Sequence, residues 1–156
     1  MGTKFSTRIW VSVVGIASIF FGSKGYADTV ISVADFGLKP DTRENAVAYV
    51  QKAIEACRGK EPITLVFPEG RYDFWPQYAH EKNYYETNTY DVFPKRLAML
   101  FEGLHNITVD GNGSQFVMHD RIQPITVENC DGVTLKNFSI DWDIPLTAQA
   151  RVTKVG

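Results

Sequence analysis

Asp141 and Asp143 stand two residues apart in the run Asn137-Phe-Ser-Ile-Asp-Trp-Asp143. In an extended strand, side chains at i and i+2 share a face and lie about 7 Å apart. That falls within the ~6.5–9.5 Å separating the acid and base that flank a glycosidic bond cleaved with inversion. The pair is therefore a candidate for general acid and base chemistry, although a solvated turn would account for the same spacing. Trp142 between them must face the opposite way, and a buried Trp142 with outward aspartates is the economical arrangement.

A second candidate lies upstream. The segment 72–94 holds eight aromatic residues in 23 positions, interleaved with His80, Glu81, Lys82, Glu86 and Asp91. Sugar rings present apolar C–H faces and polar rims, so aromatic side chains beside carboxylates suit a carbohydrate. Trp75, Tyr78 and Tyr85 are the candidate substrate-binding residues; the alternative is that these rings pack the loop against the body of the fold. His80, His105 and His119 are scattered and poor in neighbouring ligands, so no metal cluster is expected. A histidine in such a turn is expected to be an ordinary surface residue. Neither a Ser-His-Asp arrangement nor the grouped aspartates of a calcium-dependent lyase is recognisable, and no metal is expected.

The elements that must position these residues announce themselves through a repeat. Phe101-Glu-Gly-Leu-His-Asn-Ile-Thr-Val-Asp-Gly111 aligns with Val127-Glu-Asn-Cys-Asp-Gly-Val-Thr-Leu-Lys-Asn137 at a spacing of 26 residues. Apolar positions coincide, and Glu102/Glu128 and Thr108/Thr134 are identical. Self-similarity at this period marks stacked units, each too small to bury its own apolar face. Within each copy the apolar residues alternate, predicting short strands one full coil apart that stack in parallel. The expected fold is all-β: a right-handed parallel β-helix closed at its N-terminal end by one α-helix. Such solenoids offer long shallow grooves suited to extended polymers.

Residues 1–27 read as a signal peptide: Lys4 and Arg8, then an uncharged run from Ile9 to Gly22, then small residues before Asp28. The run is shorter than the ~20 residues of a membrane span, so export without stable membrane insertion is expected, to the periplasm or the medium. Losing this segment removes three basic residues and no acid, taking the net charge from −2 to −5. A surface of that sign excludes a nucleic-acid partner. Cys57, on the apolar face of the predicted helix, and Cys130, which matches Leu104 in the repeat, read as buried free thiols, with a bridge between them the alternative that an oxidising compartment allows. Asp41 and Glu44 form a capping-box pattern before a helix over 42–58, closed by Gly59. Gly111-Asn-Gly113 marks a sharp corner. The alternating run 146–155 reads as a further strand, followed by Gly156. Two repeats are fewer than the roughly three that a solenoid needs, so residues 28–156 are expected to be the cap and first coils of a longer solenoid, with an aromatic-rich loop at 72–94.

Val33-x-Asp-Phe-Gly37, Gln51-x-x-Ile54-x-x-Cys57 and Val66-Phe-Pro-x-Gly70-x-Tyr72 together resemble the N-terminal segment of the pectin-lyase-like β-helices. Glu69-Gly-Arg-Tyr-Asp-Phe-Trp-Pro76, Glu81-Lys-Asn-Tyr-Tyr-Glu-Thr-Asn88, Asp110-Gly-Asn-Gly-Ser114 and Asn137-Phe-Ser-Ile-Asp-Trp142 narrow it. Over residues 28–156 the chain resembles the bacterial exo-acting α-1,3-galactosidases. That resemblance implies hydrolysis of terminal α-1,3-linked galactose from glycans, inversion at the anomeric carbon and no cofactor. It also implies catalytic carboxylates in later coils, beyond Gly156, which leaves Asp141 and Asp143 as weak candidates. It follows that this stretch alone would be inactive. The rival readings are a pectin-active hydrolase or lyase, disfavoured by the acidic charge, and a non-catalytic glycan-binding β-helix module.

Overall fold

The computed structural model describes residues 29–84, 94–147 and 150–154. The candidate leader 1–27, Tyr85 and Gly156 lie outside the described residues. Ten elements follow in order: β1 (Thr29–Ser32), a 3-10 turn (Val33–Phe36), α1 (Val47–Cys57), β2 (Ile63–Val66), β3 (Arg71–Phe74), β4 (His80–Lys82), β5 (Lys95–Glu102), β6 (His105–Met118), β7 (Gln123–Glu128) and β8 (Asp131–Trp142).

The strands fall into two sheets. In the first, β1 pairs with β2, β2 and β3 pair with successive halves of β6, and β6 pairs with β8, all parallel. In the second, β5 pairs in parallel with β7 and antiparallel with β4. The 26-residue repeat is the strand register itself: Ile107 lies opposite Val133, Val109 opposite Leu135 and Phe101 opposite Val127. Apolar residues recur at that interval because each must stack on its counterpart one rung away.

Alternation along the strands sends one set of side chains into the core. Phe67, Tyr72, Phe74, Ile107, Val109, Phe116 and Met118 are buried. Phe116 is the hub of this interior, with ring centroids 4.8 Å from both Phe67 and Phe138 and 5.6 Å from Phe74. Tyr72 and Phe74 therefore belong to a core strand, and the aromatic loop begins only at Trp75. One rung later, Val127, Leu135 and Ile140 occupy the same inward register but are exposed.

The corner at Gly111–Gly113 is a register shift between Asp110 and Ser114. A Cβ on Gly111 would meet Phe138 Cβ at 2.5 Å and the Asn137 carbonyl at 2.7 Å, so two rungs approach there as only glycine allows.

The helix begins later than its capping pattern suggests. Asp41 sits at φ 62°, and its Oδ1 accepts from the Arg71 backbone N–H at 2.9 Å, so it is committed to the sheet rather than to a helix end. Asn45 Oδ1 instead accepts from Val47 N–H at 3.2 Å. A capping box does occur, at Ser32 and Asp35 around the 3-10 turn. Val47, Val50, Ala53, Ile54 and Cys57 form the buried stripe of α1, which contacts β1, β2 and β5. Both cysteines are free. Burial pushes the Cys57 thiol up to about 11, so it stays protonated and unreactive near neutrality. Cys130 is half-buried, donating to the Phe101 carbonyl at 3.3 Å. The described residues of the run 146–155 form no strand, and Leu146 and Val152 are exposed.

Candidate functional site

β3 and β6 pair with Arg71 opposite Gln115 and Asp73 opposite Val117. The ladder continues beyond the strands, with His119 N–H bonded to Phe74 O at 2.9 Å and Asp143 N–H to Met118 O at 3.0 Å. Trp75, His119 and Asp143 are thus successive rungs of one outward column. The indole of Trp75 lies flat on the His119 imidazole, centroids 3.9 Å apart and planes inclined by 4°.

Behind this stack is Asp73, an outward residue only 1% exposed. His119 Nε2 lies 2.8 Å from its Oδ1. Arg71 grips the same carboxylate through Nη2 at 2.6 Å and Nε at 3.0 Å, and Arg43 approaches to 3.9 Å. Burial alone would raise the pKa of Asp73; the hydrogen bonds from Arg71 and His119 and the charge of Arg43 outweigh it, holding the carboxyl below its ordinary range. Asp73 is thereby an anion and acceptor, not a proton donor. Asp143 closes the cluster, 3.6 Å from Arg71 and 3.8 Å from His119.

In front of the stack is an open depression of about 320 Å³ lined by Trp75, Pro76, Gln77, Tyr78, Ala79, Glu81, Arg96 and Asp120. Its loop is tied down by amide side chains from around α1. Asn45 Nδ2 donates to Gln77 O at 2.9 Å, its Oδ1 accepts from Trp75 N–H at 3.2 Å, and Gln51 Nε2 donates to Tyr78 O at 2.9 Å. Tyr78 sits at φ 67° and is 75% exposed. Glu81 and Arg96 pair at 3.3 Å across β4 and β5. A mostly polar lining that includes the two aromatic side chains Trp75 and Tyr78 matches a sugar ring, which needs stacking on its face and hydrogen bonds at its edge.

The structure therefore joins Trp75 and Tyr78 in one depression; Tyr85 lies outside the described residues. It gives the two aspartates different partners. Asp141 is exposed, its Oδ1 accepting from Trp142 N–H at 2.8 Å, while Asp143 belongs to the Asp73 cluster. Carboxylates expected beyond Gly156 fall outside this sequence and have no counterpart in the structure. Trp142 faces inward against the core. His119, expected as an ordinary surface residue, is instead mostly covered and bonded to Asp73. Sequence reasoning missed Arg71, Asp73 and Asn45 as well. The available signal was the alternation Arg71-x-Asp73-x-Trp75, which puts all three on one face. Among the described residues no group of three or more His, Cys, Asp or Glu could hold a metal ion, and no helix is long and apolar enough to cross a membrane.

Sequence comparison finds curated proteins similar to most of this chain. Alpha-1,3-galactosidase B of Bacteroides thetaiotaomicron is 63% identical over 128 residues, covering 82% of this chain and 21% of that protein. Alpha-1,3-galactosidase A of Shewanella woodyi is 40% identical over 125 residues, 80% of this chain and 20% of its own. An alpha-1,3-galactosidase B of Phocaeicola vulgatus is 36% identical over 152 residues, 95% and 24% respectively. No family model matches the chain. Along the stretch it covers, the chain is a homologue of the alpha-1,3-galactosidases, and it spans between a fifth and a quarter of the length of these curated relatives.

Proposed function

We propose that this protein acts as an exported glycoside hydrolase that removes terminal α-1,3-linked galactose from glycans, with inversion at the anomeric carbon. The observation that carries this reading is the 63% identity to an alpha-1,3-galactosidase over 128 residues. The leader-like residues 1–27 support export. A right-handed parallel β-helix is the scaffold we infer, supported by the parallel pairing of β5 with β7 and of β6 with β8, both at a 26-residue offset before the glycine corner.

Within that scaffold, Trp75 and Tyr78 form the wall of a sugar subsite. Bond cleavage falls to carboxylates outside the described stretch, because Asp141 is turned onto its own backbone and Asp143 is engaged by Arg71 and His119. The test is incubation of the intact protein with an oligosaccharide ending in α-1,3-galactose, followed by NMR. Free galactose appearing first as the β-anomer is the expected result. Binding without release would replace the hydrolase with a glycan-binding module, and release from polygalacturonate would replace it with a pectin-active enzyme.

A further inference from the structure

We infer that His119 is a positioning residue: its ring, fixed from behind by Asp73, is the platform that holds the Trp75 indole in place as a sugar-binding wall. The inference rests on reading the depression as a sugar subsite and adds how that wall is made rigid.

Trp75 follows β3 and has its backbone fixed by Asn45. A backbone bond alone leaves χ1 and χ2 of an indole free to turn, and a wall that turns loses binding free energy to ordering when sugar arrives. The imidazole removes that freedom by lying parallel to the indole at 3.9 Å. The imidazole is itself held, since Nε2 lies 2.8 Å from the buried Asp73 carboxylate and the backbone N–H is bonded to Phe74 O at 2.9 Å. Asp73 in turn cannot swing away from the Arg71 fork. Order therefore passes from Arg71 to Asp73 to His119 to Trp75, and only the last of these faces the depression.

The arrangement predicts a particular kinetic signature. Loss of ground-state positioning raises KM and leaves kcat alone, because the groups that break the bond are elsewhere. His119→Phe and His119→Leu both lose the bond to Asp73 and differ in whether a flat ring remains, so they are matched for that loss. In the intact protein, Trp75→Ala should raise KM for the galactosyl oligosaccharide on the order of fivefold, the size of one aromatic contact. His119→Leu should raise it about threefold with kcat within about twofold, and His119→Phe, which keeps a flat ring but loses the tether to Asp73, should fall between His119→Leu and wild type. With Trp75 already alanine, adding His119→Leu should change KM no further, since its effect runs through the indole.

Three results would overturn the inference. If Trp75→Ala raises KM but His119→Leu does not, the subsite stands and His119 has no part in it. If the two substitutions multiply in the double variant, His119 acts independently of the indole. If Trp75→Ala itself leaves KM unchanged while the wild-type protein still releases galactose, the subsite reading fails and the positioning role fails with it. Should His119→Leu fail to fold, the Trp75 emission of the His119→Phe variant, taken as the difference from the same variant carrying Trp75→Ala, carries the test: a value identical to wild type would show that the Asp73 tether holds nothing and overturn the inference, and a displacement toward an exposed indole would support it.

Discussion

In one sheet Arg71, Arg43 and His119 converge on Asp73; in the other Lys82 and Tyr84 converge on Glu128, with Glu102 alongside. Both are carboxylates gripped by cations on the outer surface, yet their settings differ. Asp73 is sealed from water, whereas the side chains of Lys82, Glu102 and Glu128 keep about a third of their surface in solvent. Lys82 Nζ reaches Glu102 at 2.7 Å and Glu128 at 2.8 Å, bridging two like charges that the parallel register places side by side. Its bonds to these carboxylates hold the ammonium on well above the ordinary lysine range, and Lys82 and Tyr84 hold Glu128 below the ordinary carboxylate range. The same chemistry thus serves two ends: a buried hub that orders neighbours, and a solvated clasp that ties β4 to β5 and β7.

The sharpest way to break the comparison is to remove each hub. Asp73→Ala should destabilise the fold by about 3 kcal/mol, because Arg71 and His119 lose their shared anion at a covered site. The check is a urea or thermal midpoint, with Glu128→Gln as the parallel case and a much smaller shift. If the two shifts are equal, burial is not what separates the clusters.

Acid provides the next test. Because the folded-state pKa of Asp73 is depressed, its contribution is fully present above the unfolded carboxylate value, about 3.9, and is lost as pH falls through the lower folded value. Asp73→Asn should therefore flatten the acid limb of a stability–pH profile. Lys82 has the opposite sign. Its contribution is complete below about pH 10.4 and is lost as pH rises through the higher folded value, so Lys82→Met should remove part of any alkaline loss and also soften the acid limb, since Lys82 helps hold Glu128 below its ordinary range.

The smallest effect is one of salt. Raising ionic strength to 1 M, where screening acts over about 3 Å, should erase the stability difference between Lys82→Met and wild type. The Asp73→Ala difference should persist under the same conditions.

Much of this scaffold was legible because stacking forces like onto like. Phe101 over Val127 and Ile107 over Val133 could be read from a linear repeat, since each core residue needs an apolar neighbour one rung away. The inward turn of Trp142 followed from strand alternation. What stayed hidden depended on distance in sequence. Trp75 meets His119 across 44 residues because the aromatic insert lengthens that rung, and no repeat betrays an interval that occurs once. The burial of Asp73 was equally obscure: its lid is Arg43, from the irregular stretch before α1, together with Arg71 on its own strand. The capping signal at Asp41 misled because a carboxylate that can cap a helix can also accept from a strand, and Arg71 N–H claimed it.

The glycine corner of β6 has a consequence for how this chain can change length. Opposite residues are 26 apart before it, as in Ile107 and Val133, and 24 apart after it, as in Ser114 and Phe138. The β6 corner spends three residues, Gly111 to Gly113, where β8 spends Asn137 alone. Insertions and deletions here obey an even-number rule: two residues lost would give β6 the corner its neighbour already has. One residue lost would turn the rest of the strand inside out, carrying Phe116 and Met118 to the surface and the imidazole of His119 into the core.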